Sequence, residues 1–241
     1  MTLVKICGIT TLEDAQVAIK AGADLLGFNF YPKSSRYVTP EALREIVSAI
    51  RDGRAETGDR RPERPSDDRS PISSLRSPHL IGLFVNETPA RILEILAFAK
   101  LDYAQLHGDE PPEVLATLGN NGFKALRAKD MTTALTDAKR FTTIRNSQPA
   151  IRNSPPFLLI DTYDPNAYGG TGKRGDWAIA AEICRLYKRV LLAGGLTVEN
   201  VAEAIAAVQP WGVDVSSGVE ASPGRKDAEK VRAFVRAAKA V

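Results

Sequence analysis

Histidine and cysteine are scarce in this chain, two of each in 241 residues. Cys7 and Cys184 lie far apart and form no CxxC pair, which gives no support to a disulfide framework. With only His79 and His107 available, no Cys/His/Asp/Glu spacing suggests zinc, and no metal is expected. No apolar run approaches the roughly 18 residues of a membrane span, so no membrane partner is expected. The start, Met1-Thr2-Leu3-Val4-Lys5, lacks the parts of a signal peptide, and a cytoplasmic location is the expectation. Charge is nearly balanced, 32 basic against 29 acidic residues, too weak and dispersed for a nucleic-acid partner. What remains is an ordinary globular composition, 44% hydrophobic and 25% charged. A fold of this length buries roughly 70–75% of its unfolded surface.

Eight short apolar runs recur, at 3–7, 25–30, 80–85, 102–107, 123–127, 157–161, 190–193 and 213–215. Most are near-continuous Val, Ile, Leu and Phe, the pattern of strands covered on both faces. Helical stripes lie between them: Leu43, Ile46, Val47 and Ile50; Ile92, Ile95, Leu96 and Ala99; Val198, Val201, Ala202 and Ile205; Val231, Phe234, Val235 and Ala238. Thr88-Pro89 and Thr197 are N-cap signals for the second and third of these. Eight alternations of strand and helix, with several strand-end steps of 20–22 residues, predict one α/β domain over 1–241. Its expected fold is a single (β/α)₈ TIM barrel, with a doubly wound open sheet as the alternative. One polar insertion stands out between the second helix and third strand. Residues 51–78 hold seven Arg, six Asp/Glu and four Pro, and read as a mobile surface loop. Residues 141–156 read as a second irregular connection.

In a parallel barrel, chemistry gathers at the C-terminal ends of the strands. Cys7 ends the first run and Asp161 the sixth, a thiol and a carboxyl suited to an acid–base pair. Each also has a bland reading, as an inert buried thiol or a satisfied structural acid. Lys5, two residues before Cys7, shares its side of the strand, and its ammonium would favour thiolate over thiol. An interior lysine needs a partner, and Asp214 on the neighbouring eighth strand is the choice. The seventh strand runs into Gly194-Gly195-Leu196-Thr197 and the eighth into Ser216-Ser217-Gly218, turns of the type that bind phosphate in barrel enzymes. Arg36, in the loop after the second strand, offers a fork that matches a carboxylate. His107 is either a ligand contact or a hydrogen-bonded structural histidine. Cys184 reads as a core helix residue. Residues 170–175 spell a formal GxGxxG, but they begin nine residues after the sixth strand and no acid closes the next one. A Gly-rich lid over 168–175 is the better reading.

These stretches together are VKICGIT at 4–10, GFNFYPKSSRYV at 27–38, GLFVN at 82–86, AQLHGDE at 104–110, YGGTGKRGDW at 168–177, AGGLTVENV at 193–201 and DVSSGVEASPGRKD at 214–227. In barrel order and over nearly the whole chain, they resemble the phosphoribosylanthranilate isomerases of tryptophan biosynthesis. The resemblance implies a ribulose-phosphate-binding (β/α)₈ barrel that needs no cofactor. It implies an Amadori rearrangement of N-(5-phosphoribosyl)anthranilate with Cys7 as general base and Asp161 as general acid. It further implies that Arg36 holds the anthranilate carboxylate. The expected partner is a small phosphorylated substrate, the expected assembly a monomer or homodimer. Two other functions are compatible with the same barrel: a sister enzyme acting on a different sugar phosphate, and a scaffold whose Arg/Pro loop recruits a partner.

Overall fold

The computed structural model of the chain describes residues 1–56, 78–143, 156–162 and 177–241. The Gly-rich stretch at 168–175, most of the 51–78 insertion and most of the 141–156 connection lie outside them. Strands and helices alternate from end to end: β1 (Leu3–Cys7), α1 (Leu12–Ala21), β2 (Leu25–Asn29), α2 (Pro40–Glu56), β3 (His79–Phe84), α3 (Pro89–Ala99), β4 (Tyr103–Leu106) and α4 (Pro112–Leu118). The second half adds β5 (Gly122–Ala128), α5 (Met131–Thr143), β6 (Leu158–Thr162), α6 (Trp177–Leu186), β7 (Val190–Leu192), α7 (Val201–Val208), β8 (Gly212–Val215) and α8 (Ala228–Lys239). Between β8 and α8 lie a 3₁₀ turn, Ser217–Val219, and a small antiparallel hairpin, β9 (Glu220–Ser222) and β10 (Arg225–Lys226).

The eight strands pair in chain order and all run parallel, and β1 pairs with β8 through Leu3↔Gly212 and Lys5↔Asp214. That last pairing closes the sheet and rules out the open, doubly wound alternative. Closure sends alternate side chains to two different cores. Outward residues such as Val4, Ile6, Leu26 and Phe28 meet the helices. Inward residues Leu25, Ile81, Phe123, Leu159 and Leu191 fill the barrel. Each fully buried Leu, Ile or Phe contributes about 1.5–3 kcal/mol. The same alternation turns Lys5 and Cys7, Gln105 and His107, and Asp161 and Asp214 toward the barrel axis.

The stripes of α2, α3 and α8 are buried as the periodicity predicts. Thr88 caps α3, accepting from the Arg91 amide with Pro89 at the first position. Three boundaries differ from expectation. Helix α2 runs on through Glu56, so the first residues of the 51–78 insertion are helical; Arg, Ala and Glu there are good helix formers. Likewise α5 extends to Thr143, into the expected irregular connection. Helix α7 begins at Val201, with Asn200 and not Thr197 at the cap position though without a side-chain cap hydrogen bond, and its buried stripe is Val201, Ala204, Ile205 and Val208. Ala202 is exposed. The reason lies in Asn200, whose amide bridges the preceding turn: Oδ1 accepts from the Thr197 amide at 2.8 Å and Nδ2 donates to the Gly195 carbonyl at 2.9 Å.

Candidate active site

A cleft opens at the C-terminal ends of the strands, with a volume of about 670 Å³ including its mouth. Cys7, Arg36, His107 and Asp161 line it, together with Gly194, Gly195, Asp214, Ser216 and Ser217. Residues from β1, β2, β4, β6, β7 and β8 therefore meet in one place. Lys5 and Gly218 lie behind this wall.

Cys7 ends β1 opposite Gly27 of β2. A Cβ on Gly27 would stand 2.9 Å from both the Cys7 Sγ and the Lys5 Nζ. The absence of a side chain at Gly27 is what lets thiol and ammonium sit side by side. Lys5, fully buried, donates to Asp214 Oδ1 at 2.9 Å, across the strand register that closes the barrel. Burial works against the Lys5 charge, but Asp214 and Cys7 together outweigh it and keep the ammonium protonated. Burial likewise pushes the Asp214 carboxyl up, against the pull of Lys5. With the ammonium held at hydrogen-bond distance, the ion pair is the form this geometry favours.

For the thiol, Lys5 acts in the expected direction but against a larger opposing effect. Burial pushes Cys7 above its ordinary value of 9.0, and the Lys5 charge opposes this without overcoming it. Desolvation outweighs the neighbouring cation, so Cys7 rests as a thiol at neutral pH. Cys184 on α6 is pushed up to about 12 by burial alone, which makes it inert.

On the opposite wall, His107 Nε2 lies 3.1 Å from Asp161 Oδ2, and its Nδ1 lies 2.9 Å from the Gln105 side-chain amide nitrogen. With its proton on Nε2, the ring accepts from that amide at Nδ1 and donates to Asp161. His107 thus both lines the cleft and orients the acid. Gln105 escaped the sequence reading, although it lies two residues before His107 and so faces inward with it.

Arg36 is carried by a loop built on the end of β2. Asn29 Oδ1 accepts from the Tyr31 amide at 2.8 Å, its Nδ2 donates to Ser34 Oγ at 3.1 Å, and Ser34 Oγ accepts from the Arg36 amide at 3.1 Å. The guanidinium then donates through Nε and Nη2 to both oxygens of Glu220, each at 2.8 Å. Glu220 and Lys226, on the hairpin after β8, were not foreseen. A second unforeseen pair, Lys124 and Glu110, is buried at 2.8 Å and props the loop after His107, with Glu110 accepting from the amides of Asn86 and Gly108.

The turns after β7 and β8 interlock. Gly194 and Gly195 adopt φ of 93° and 64°, conformations that favour glycine. A Cβ on Gly218 would meet the Leu196 carbonyl oxygen at 2.0 Å, so only glycine lets the two turns touch. Ser217 and Gly218 open the 3₁₀ turn, and their amides have no partner within it. The Ser216 hydroxyl is buried with no hydrogen-bond partner among the described residues. Unsatisfied buried polar atoms are uncommon, and here one faces a cleft between two glycine turns, a setting made for an anion.

Residues 66–237 match the family described as N-(5'-phosphoribosyl)anthranilate (PRA) isomerase. The chain is 42% identical to the N-(5'-phosphoribosyl)anthranilate isomerase of Geobacter sulfurreducens over 99% of both chains. The chain belongs to the phosphoribosylanthranilate isomerase family. The crystal structure of the isomerase from Thermotoga maritima is 34% identical, with a TM-score of 0.77 and full coverage of both chains. A phosphoribosyl anthranilate isomerase solved in complex with reduced 1-(o-carboxyphenylamino)-1-deoxyribulose 5-phosphate, also 34% identical, aligns over the whole of both chains with a TM-score of 0.74. Isomerases of this family thus share the closed barrel as well as the sequence. No helix among the described residues is long and apolar enough to cross a membrane.

Proposed function

We propose that this chain isomerises N-(5-phosphoribosyl)anthranilate to 1-(2-carboxyphenylamino)-1-deoxyribulose 5-phosphate in tryptophan biosynthesis, an Amadori rearrangement run by side-chain acids and bases. The observation that carries the reading is the convergence, in one cleft, of a thiol, an oriented carboxyl, a guanidinium and an anion-ready pair of glycine turns.

In this mechanism, Asp161 gives its proton to the furanose ring oxygen. The C1–nitrogen electrons push the ring open, leaving a cationic Schiff base. Cys7, as thiolate, then removes the proton from C2, and the electron pair moves into the C1–C2 bond to give an enolamine. Tautomerisation to the ketone completes the isomerisation, and the protons return to their starting groups through solvent. Each acid–base role is worth about 10²–10⁴-fold in rate. Only the thiolate is a base, so the competent form has Cys7 ionised and Asp161 carrying its proton. The Lys5 ammonium and the Schiff-base cation both favour that ionisation.

Phosphate held by Gly194–Gly195 and Ser216–Gly218, and carboxylate held by Arg36, fix the substrate at both ends. That places C2 beside Cys7 and the ring oxygen beside Asp161. The proposed partner is this small phosphorylated substrate, met in the cytoplasm. A homodimer is one assembly to test, since the Thermotoga maritima relative is dimeric.

The test is to generate phosphoribosylanthranilate from anthranilate in situ and to follow loss of its fluorescence. Rapid loss with this protein, abolished by Cys7→Ala, supports substrate and base together. No loss with well-folded protein overturns the substrate and leaves a phosphate-binding barrel for another sugar phosphate.

A further inference from the structure

The stretch after β8 is longer than a βα turn needs to be, and the mechanism above leaves most of it unused. It forms the β9–β10 hairpin, which packs on the loop that carries Arg36. Gly224, at the hairpin tip, has φ of 82°, and a Cβ there would stand 2.7 Å from the Ser35 carbonyl oxygen. The Thr10 hydroxyl donates to the Gly224 carbonyl at 2.6 Å. Glu220 is buried and grips Arg36 through two hydrogen bonds of 2.8 Å. Lys226, with its side chain fully buried, donates to Glu220 Oε1 at 2.9 Å and to the Ser216 carbonyl at 3.2 Å. The Glu220 carbonyl in turn accepts from Lys230 Nζ at 3.0 Å.

This arrangement has two physical consequences. A free arginine side chain holds about 2 kcal/mol of rotamer entropy. Here the Nε–Nη2 edge is locked to a carboxylate that is itself held from the other side. The plane of the guanidinium is therefore set before any ligand arrives, and the Nη1–Nη2 edge is left to a ligand, with Nη1 having no partner among the described residues and Nη2 one hydrogen unused on Glu220. Second, two cations share one carboxylate. The buried group of Arg36, Glu220 and Lys226 keeps one net positive charge beside the cleft, which one carboxylate would neutralise.

We propose that Glu220 is a positioning residue, which aims the Arg36 guanidinium and so makes the 220–226 hairpin the determinant of preference for a carboxylated aromatic ring. This rests on the proposed role of Arg36 in holding the substrate carboxylate. An unheld arginine would still attract an anion, but without a fixed plane it would discriminate poorly between ligands with and without the carboxylate.

Two ligands separate the alternatives: reduced 1-(o-carboxyphenylamino)-1-deoxyribulose 5-phosphate and the same compound without its ring carboxylate, both titrated calorimetrically. The wild-type protein prefers the first. In Glu220→Gln that preference falls by roughly tenfold or more, as expected for weakening a charge-assisted fork. The loss falls on the carboxylated ligand alone. In an Arg36→Met background, Glu220→Gln changes the preference no further. An unchanged preference in folded Glu220→Gln, equal weakening of both ligands, or a further loss on top of Arg36→Met overturns the proposal. Should Glu220→Gln not fold, Gly224→Ala displaces the hairpin from Ser35 without touching the carboxylate; a selective loss there sustains the proposal and an unchanged preference overturns it. A wild-type protein that binds both ligands equally refutes the role of Arg36 itself, a different failure from any of these.

Discussion

Lys5→Met removes one charge from the centre of the barrel at nearly constant side-chain volume. At 2.9 Å, Lys5 and Asp214 attract by about 6 kcal/mol at an effective dielectric of 20. Each ion has also given up its water, at several kcal/mol apiece, so the intact pair adds little net stability. The variant loses the attraction but keeps the desolvation of Asp214, which is 8% exposed. Asp214, already pushed up by burial, relieves part of the strain by taking a proton. The expected destabilisation is about 3–5 kcal/mol, read by equilibrium urea unfolding at neutral pH. Adding Asp214→Asn removes the orphaned charge, so the double variant should lie about 2 kcal/mol above the sum of the singles. Loss of the ammonium also leaves Cys7 with less to favour thiolate, and its alkylation by iodoacetamide should slow by about tenfold. A Lys5→Met protein within about 1 kcal/mol of wild type, with an additive cycle, would refute the ion-pair reasoning.

Cys7→Ala and Asp161→Asn should each cut turnover by about 10²–10⁴-fold in the fluorescence assay while circular dichroism stays native; near-normal turnover in either would end that residue's assignment. Gly218→Ala places a methyl 2.0 Å from a backbone oxygen. It should cost about 1–3 kcal/mol of stability and weaken inorganic phosphate binding, both measurable by thermal shift with and without phosphate. In a Cys184→Ala background, Cys7 alkylation should rise about tenfold per pH unit from 6 to 9 without a plateau, because burial raises the thiol above 9.0. The linked stability has a defined sign: the buried thiol contributes fully below its unfolded value and loses that contribution as pH climbs through the folded one. A plateau near pH 7 would mean that Lys5 prevails over burial.

Much of this was legible because a barrel strand alternates with period two. Once Cys7 and Asp161 are set at strand ends, Lys5 must point the same way as Cys7, and the eighth strand must lie beside the first. That brought Lys5 to Asp214 without coordinates. Arg36, His107 and the two glycine turns were visible as chemistry at strand ends. Glu220 was not, since it meets Arg36 across 184 residues and through a hairpin whose shape no local pattern announces. The start of α7 was misjudged because Thr197 and Asn200 are both cap formers, and only the bridge of Asn200 to Gly195 decides between them. The ionisation of Cys7 stayed open for a different reason. Sequence reveals that a cation is near, but it does not weigh that cation against full removal from water.

The Lys5–Asp214 bond spans 209 residues, Arg36–Glu220 spans 184 and Thr10–Gly224 spans 214. Much of the cleft wall around Cys7 and Arg36 is thus stitched from segments far apart in the sequence. Such contacts raise the contact order and form only after the largest loops have closed. During refolding, intermediate barrels missing the β1–β8 seam would carry most of the helices and most of the outer core, yet be unable to turn over a single substrate. Regain of activity should therefore lag regain of helical signal, and its rate should report the zipping of that seam.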